Sequence, residues 1–123
     1  MATILLIEDD NLLQELYKGK LRDEGLNVVV AGDGKGGLDL IRSQKFDLIL
    51  LDIMLPGGIN GFDVLETLKK DPAFSQIPVI VLTNLDSEEK VAREIGAADY
   101  LKKTEVTPAE IVKRIKGILK KKK

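Results

Sequence analysis

The stretch TILLIEDD at residues 3–10 joins a short apolar run to three acidic residues. Three later runs end in the same way: LILLD (48–52) on Asp52, VIVLT (79–83) on Thr83, and DYLKK (99–103) on Lys102 and Lys103. Short runs that are apolar at successive positions are typical of strands buried on both faces of a parallel sheet. We therefore expect the polar residues to converge on one edge of the sheet, where open α/β sheets bind ligands.

Amphipathic stretches separate these runs, so strand and helix alternate five times along the chain. The predicted strands are Thr3 to Ile7, Asn27 to Ala31, Leu48 to Leu51, Val79 to Leu82 and Asp99 to Leu101. The predicted helices are Asn11 to Glu24, Gly34 to Ser43, Gly61 to Lys70, Ser87 to Ile95, and one that starts at the capping box Thr107-Pro108-Ala109-Glu110. Crossovers between parallel strands are right-handed, so the pattern predicts an α/β fold, a doubly wound three-layer (βα)5 sandwich.

Apolar stripes at helical spacing predict which helix faces are buried. The predicted buried face of the first helix carries Leu13, Leu16, Tyr17 and Leu21. The predicted stripe of the last helix is Ile111, Ile115, Ile118 and Leu119. Asp10 is the predicted N-cap of the first helix.

Length and composition narrow the class of protein. The 123 residues suit one domain, 1–123, which buries enough surface to fold without disulfides or structural metal. The chain has no Cys, no apolar stretch of the length that spans a bilayer and no signal-peptide pattern, so we expect a cytoplasmic protein. The absence of His excludes a histidine kinase and a His phosphotransfer protein, and a net charge of -1 gives no broad attraction to nucleic acid or membrane.

The acidic residues at the predicted sheet edge require a counter-charge. Glu8, Asp9 and Asp52 repel one another at this edge unless a cation lies among them. Mg²⁺ prefers oxygen ligands and keeps several waters, so one or two carboxylates together with a phosphate oxygen suit it. An Asp carboxylate is also able to attack phosphorus and form an aspartyl phosphate. Thr83 and Lys103 supply the hydroxyl donor and the fixed cation that the other phosphoryl oxygens require.

The joint spacing of these residues resembles that of a two-component response-regulator receiver domain. Acids follow the first and third strands, a Thr ends the fourth, and an aromatic precedes the Lys by three positions: Glu8-Asp9, Asp52, Thr83, Tyr100 and Lys103. The resemblance covers essentially the whole chain, and the combination is far more specific than any of its parts. It implies a flavodoxin-like fold with a parallel five-stranded sheet in the order 2-1-3-4-5.

The resemblance also implies a role for each residue at this edge. Asp52 resembles the phospho-acceptor, Glu8 and Asp9 resemble the metal-side acids, and the main-chain carbonyl of Met54 resembles a further Mg²⁺ ligand. Two more residues, Thr83 and Lys103, resemble the pair that binds the phosphoryl group, and Tyr100 resembles the aromatic whose rotamer changes on phosphorylation. Such a chain assists its own phosphorylation and dephosphorylation and is not an enzyme with a separate substrate.

The implied partner on the input side is a sensor histidine kinase or a His phosphotransfer protein. On the output side, a downstream protein is expected to bind the face made by the fourth helix, the fifth strand and the fifth helix. We expect no direct binding of nucleic acid and no contact with a membrane. The expected oligomeric state is a monomer or a phosphorylation-dependent dimer.

Two other classes of protein share part of the pattern. A haloacid-dehalogenase-like phosphatase also uses an Asp after a strand, but it needs a second Asp two positions later, where this chain has Met54. A flavodoxin-like FMN-binding module needs a hydroxyl- and Gly-rich loop after the first strand, and Glu8-Asp9-Asp10 would repel its phosphate.

The chain departs from the common receiver pattern at three points. The loop at residues 56–61 is one residue longer than usual and has Asn60 where Asp is frequent. Asn84 follows Thr83 where a small residue is common, and Thr104 replaces the Pro usually found after the Lys.

Overall fold

The computed structural model describes residues 1–121, which form five strands and five helices in alternation. The strands are β1 (Thr3–Ile7), β2 (Asn27–Ala31), β3 (Leu48–Leu51), β4 (Val79–Thr83) and β5 (Asp99–Lys102). The helices are α1 (Asn11–Asp23), α2 (Gly34–Ser43), α3 (Gly61–Lys70), α4 (Glu89–Ile95) and α5 (Pro108–Lys121). Residues 122 and 123 of the predicted domain lie outside the described residues.

All five strands are parallel and form one sheet in the order β2-β1-β3-β4-β5. From β1 the chain moves to one side for β2 and then to the other side for β3, so the order reverses between β1 and β3. Ligands bind at such a switch point in doubly wound sheets. The predicted fold class and strand order are confirmed.

The helices cover both faces of the sheet, and the sheet divides the hydrophobic core in two. Alternate strand residues point to opposite faces, so each strand contributes to both halves. One half contains Leu5, Ile7, Ile49 and Leu51, and the other contains Ile4, Leu6, Leu48 and Leu50. Every residue of β3 is buried, which explains why its sequence has no polar alternation.

Side-chain caps fix the beginnings of the helices that flank the carboxyl edge. Asp10 accepts hydrogen bonds from the amides of Leu12 at 2.9 Å and Leu13 at 3.1 Å, as predicted. Asn60 forms a capping box with Asp63, so Asn in place of the common Asp still starts α3. The predicted capping box before α5 is also present, since Glu110 and Thr107 exchange hydrogen bonds.

The prediction that Leu16 lies on the buried face of α1 is wrong. Its side chain is 52% exposed, because α1 packs against β2 and α5 through Tyr17 and Leu21 and leaves the side with Leu12 and Leu16 uncovered. The start of the fourth helix also differs from the prediction: α4 begins at Glu89 and has no side-chain cap. Within residues 1–121, no helix has the length and apolarity to cross a bilayer.

Candidate functional site

Four parallel strands bring polar residues to the same edge of the sheet. Glu8 directly follows β1, Asp52 follows β3, Thr83 ends β4 and Lys103 follows β5. The amide of Lys103 donates to the Thr83 carbonyl at 2.9 Å, which keeps the ends of β4 and β5 in register. The convergence predicted from the apolar runs is therefore present.

Three carboxylates form the acidic part of this edge. Glu8 and Asp52 are 1% and 6% exposed, whereas Asp9 is exposed, and one oxygen from each lies within 4.8 Å of the others. Burial raises the pKa of the Glu8 carboxyl above its ordinary value, although hydrogen bonds from Lys103 and from the Asp10 amide oppose the rise. The structure thus gathers carboxylates whose charge is costly to bury without a cation.

Lys103 is the cation that the chain itself supplies. Its side chain is 9% exposed, and its ammonium donates to Asp52 Oδ2 at 2.7 Å and forms an ion pair with Glu8 Oε1. Burial by itself lowers the pKa of the Lys103 ammonium, but the bonds to Asp52 and Glu8 outweigh it, and the pKa lies above its ordinary value. The ammonium therefore stays charged at neutral pH.

The loop after β3 approaches the Asp52 main chain closely. The amide of Met54 donates to Asp52 Oδ1 at 3.2 Å, and the amide of Gly61 donates to the Ile53 carbonyl at 2.8 Å. A Cβ on Gly61 would lie 2.2 Å from the Asp52 carbonyl oxygen, so only glycine fits at this point. Earlier in the loop, Gly57 has a φ of 87°, a region that favours glycine.

The Thr83 hydroxyl is the unusual polar group of the edge. Thr83 is fully buried, and among the buried side-chain nitrogens and oxygens of residues 1–121 its Oγ1 is the one without a hydrogen-bond partner. Such a group costs free energy unless an acceptor reaches it. Its position beside Lys103 at the end of β4 gives the site an unused hydroxyl donor.

Tyr100 lies behind this edge and not in it. Its ring is half-buried against the core, and its hydroxyl donates to the Leu85 carbonyl at 2.6 Å. Leu85 stands two residues after Thr83 on the segment that leads to α4. Tyr100 is thus hydrogen-bonded to the segment that directly follows Thr83.

A cavity of about 810 Å³ opens over the edge. Its lining includes the three carboxylates and Lys103, together with apolar side chains such as Met54, Leu85 and Phe62. The Met54 side chain is 61% exposed at the rim.

The donor set fits a hard divalent cation. Carboxylate oxygens from Glu8, Asp9 and Asp52 lie within one ligand sphere, and Asp9 is open to solvent, which suits an ion that keeps several waters. No Cys or His, the ligands that softer metals favour, is present in the chain. The acidic group is therefore compatible with Mg²⁺.

Two contacts at this edge were not foreseen from the sequence. The Gln14 side chain donates to the Glu8 carbonyl at 2.5 Å, and Gly61 allows the close approach to Asp52 described above. The sequence offers no specific signal for the Gln14 contact, and the only signal for Gly61 is a glycine that directly follows the capping Asn60. That signal is not specific without the fold.

The chain is similar to regulators of bacterial two-component systems. Residues 4–116 match the family model of the response regulator receiver domain. The chain is 44% identical over 122 residues to the transcriptional regulatory protein CpxR of Escherichia coli K12, covering 98% of this chain and 50% of CpxR. It is 40% identical over 119 residues to the DNA-binding response regulator MtrA of Mycolicibacterium smegmatis, covering 95% of this chain and 50% of MtrA. The chain thus spans about half the length of these relatives.

Solved structures of receivers share the whole fold. The receiver domain of the Francisella response regulator 1452 superposes with a TM-score of 0.92 at 31% identity, and the match covers 100% of both chains. The BeF3-activated N-terminal receiver domain of Klebsiella pneumoniae RstA superposes with a TM-score of 0.86 at 34% identity, covering 95% of this chain and 97% of that one. These matches favour neither the phosphatase nor the FMN-binding alternative. The chain belongs to the response regulator receiver domain family of two-component signalling systems.

Proposed function

We propose that this chain accepts a phosphoryl group on Asp52 from the phosphohistidine of a sensor histidine kinase or a His phosphotransfer protein. The observation that carries the proposal is the unpartnered, buried Thr83 hydroxyl at the edge where Asp52 and Lys103 meet. A hydroxyl donor and an ammonium beside a carboxylate are the groups that an aspartyl phosphate requires. A covalently bound phosphoryl oxygen would satisfy the hydroxyl.

The transfer uses groups that the chain already holds in place. An Asp52 carboxylate oxygen attacks the phosphorus, the P–N bond of the donor breaks, and its electron pair returns to the imidazole nitrogen of the donor. The Thr83 hydroxyl donates to a phosphoryl oxygen, and the Lys103 ammonium balances the charge of another. The chain assists its own modification in this way and does not turn over a separate substrate.

Mg²⁺ is the proposed cofactor of this reaction. Glu8, Asp9, Asp52 and the Met54 main-chain carbonyl would hold it. When bound, Mg²⁺ supplies positive charge that offsets the repulsion between the phosphoryl oxygens and the carboxylates.

The acceptor assignment is tested by intact-mass spectrometry with acetyl phosphate and Mg²⁺. The parent is expected to gain one phosphoryl group that is stable in acid and labile to hydroxylamine, and Asp52→Ala is expected to gain none. The matched control is Asp47→Ala, which removes an Asp just before the other end of β3 and is expected to be labelled like the parent. Labelling of Asp52→Ala with the same chemical properties would disprove the assignment.

The exposed apolar side chains near the site suggest how the phosphodonor protein docks. Leu12 and Leu16, one turn apart on α1, are 83% and 52% exposed, and Met54 lies at the rim of the cavity. We expect Leu12→Asp and Leu16→Asp to slow transfer from a phosphorylated His phosphotransfer protein while labelling by acetyl phosphate stays unchanged. Equal transfer rates for parent and variants would place the docking surface elsewhere.

The proposed output surface is the face formed by α4, β5 and α5. Attraction of the Thr83 hydroxyl to the phosphoryl group would move the segment that carries Leu85, and Tyr100 is hydrogen-bonded to that segment. We expect beryllofluoride, which mimics the phosphoryl group, to shift the NMR signals of the Tyr100 ring and of residues 87–95. Large shifts confined to residues around Asp52, in both the parent and Thr83→Ala, would exclude this face as the output surface.

A downstream protein is the proposed partner at this face. The expectation that this chain has no direct contact with nucleic acid stays a prediction. The same holds for the monomer or phosphorylation-dependent dimer. The relatives described as transcriptional or DNA-binding regulators are about twice as long as the part that this chain matches.

A further inference from the structure

Both peptide groups that flank Asp9 are held by side chains of other residues. On the carboxyl side, the amide of Asp10 donates to Glu8 Oε2 at 3.0 Å. On the amino side, the carbonyl of Glu8 accepts from Gln14 Nε2 at 2.5 Å. The Asp9 carboxylate is exposed, and residues 1–121 give it no hydrogen bond or ion pair. The main chain therefore fixes the direction of the Asp9 Cα–Cβ bond, from which the carboxylate reaches the neighbourhood of Glu8 and Asp52.

Gln14 is well placed to hold this segment. It lies in the first turn of α1, where its own amide donates to the Asp10 carbonyl at 2.9 Å. A Cβ on Gly32, just after β2, would lie 3.8 Å from Gln14 Nε2, so the Gln14 side chain passes close to the end of β2 as well. The half-buried amide thus connects α1 to the loop that carries the acids.

The two hydrogen bonds that hold the peptide groups beside Asp9 differ in whether a bound cation would compete with them. The Asp10 amide bonds to Glu8 Oε2 while Lys103 pairs with Oε1, so both oxygens are engaged, and a metal ion bound at Glu8 would compete with one of these bonds. Gln14 is uncharged and is not among the carboxylates that gather at the edge. Its hydrogen bond to the Glu8 carbonyl therefore does not compete with cation binding.

We propose that Gln14 is a positioning residue for the metal site, because it holds the Glu8 carbonyl and so keeps the Asp9 carboxylate directed at Glu8 and Asp52. The inference rests on the proposed function, in which Asp9 is a Mg²⁺ ligand. Loss of an outer hydrogen-bond partner of metal ligands typically costs 10- to 100-fold in affinity. One uncharged bond to the main chain corresponds to the lower end, about tenfold.

The test is the affinity for Mg²⁺ alone, measured by calorimetric titration of the unphosphorylated protein. Gln14→Met keeps the length of the side chain without the donor, and Gln14→Ala removes the donor and is a good helix former. Both are expected to weaken Mg²⁺ binding about tenfold. Gln76→Met, at an exposed position between α3 and β4, is the matched control and is expected to bind like the parent. Thermal unfolding without Mg²⁺ verifies that every variant is folded at the titration temperature.

A double-mutant cycle separates positioning from a general effect on structure. If Gln14 acts through Asp9, Gln14→Met has little further effect on Mg²⁺ affinity once Asp9→Asn is present. Equal affinity of the parent and both Gln14 variants, or the same tenfold loss in the Asp9→Asn background, would overturn the role of Gln14 alone. A parent that binds no Mg²⁺ would overturn the proposed function, and the role of Gln14 with it.

Discussion

Replacement of Lys103 by Met removes the cation that lies between two buried carboxylates. The Lys103 side chain is 9% exposed and bonded to both Glu8 and Asp52, which are themselves buried, so its removal leaves two buried carboxylates without a counter-charge. Removal of one partner of a buried ion pair typically costs 3–5 kcal/mol. Because the pocket is open on one side to solvent, we expect the lower value, about 3 kcal/mol at pH 8 without Mg²⁺. For a domain of this size the melting temperature falls by roughly 10 °C.

The loss of stability in Lys103→Met is expected to be larger at pH 8 than at pH 5. Burial already raises the pKa of Glu8 in the folded parent, and Lys103 opposes the rise. Without Lys103 the folded pKa of Glu8 goes higher still, so the folded variant binds a proton more tightly than the unfolded chain does. A group of this kind destabilises the fold as pH rises from its ordinary value of 4.5 through its raised value. The variant is therefore expected to recover much of its stability between pH 8 and pH 5.

The assay is urea denaturation of parent and Lys103→Met at pH 8 and pH 5, each with and without millimolar Mg²⁺. Mg²⁺ is expected to stabilise the variant more than the parent, because the competing ammonium is gone. Lys102→Met is the matched control: its ammonium pairs with the exposed Asp86, and the midpoint is expected to stay near that of the parent. A loss of equal size at both pH values, unaffected by Mg²⁺, would show that Lys103 acts through packing and not through charge.

The remaining predictions concern the metal, the lifetime of the phosphoryl group and the acceptor loop. Millimolar Mg²⁺ is expected to raise the melting temperature of the parent but much less that of Asp9→Asn, and equal increments would reject Asp9 as a ligand. The side chains of Met54 and Leu85 line the cavity over Asp52 and cannot orient a hydrolytic water. Mass spectrometry is therefore expected to show slower phosphoryl loss from the parent than from the double variant Met54→Asn/Leu85→Glu, and equal or faster loss from the parent would refute this. Gly61→Ala is expected to cost about 1–3 kcal/mol and slow labelling. Gly117→Ala, with no atom within 4 Å of its Cβ, is expected to stabilise α5, and similar denaturation midpoints for the two variants would contradict the close approach at Gly61.

The strands and the residues that follow them were predictable because local sequence decides them. A strand buried on both faces must be apolar at every position, and the first polar residue after it must lie at the sheet edge. Glu8, Asp52 and Thr83 follow from that rule, and the parallel topology brings them together with Lys103, which follows the half-buried β5. The caps at Asp10 and before α5 are equally local, since each is formed by residues within four positions.

Features that depend on contacts between distant elements were not predictable in the same way. Leu16 fits the apolar stripe of α1, but α1 packs against β2 and α5 through Tyr17 and Leu21 and leaves Leu16 in solvent. The unpartnered state of the Thr83 hydroxyl depends on what surrounds the end of β4 and not on the type of residue. The hydrogen bond of Gln14 to Glu8 joins a helix to a loop and has no signature in residue spacing.

The charges at the carboxyl edge explain why the proposed reaction needs a cation beyond Lys103. Glu8, Asp9 and Asp52 carry three negative charges when ionised, and Lys103 offsets one of them, so an incoming phosphoryl group meets an excess of two. Phosphorylation removes the charge of Asp52 but adds about 1.5 to 2 negative charges of its own. A divalent cation brings the edge close to neutral before transfer and leaves it only slightly negative afterwards. In the proposed site the same cation would be bound by Asp9, the one exposed acid of the group, which follows the Glu8 carbonyl that Gln14 holds. The reactivity of the buried Asp52 would then depend in part on an uncharged side chain on α1 that does not contact it in the proposed reaction.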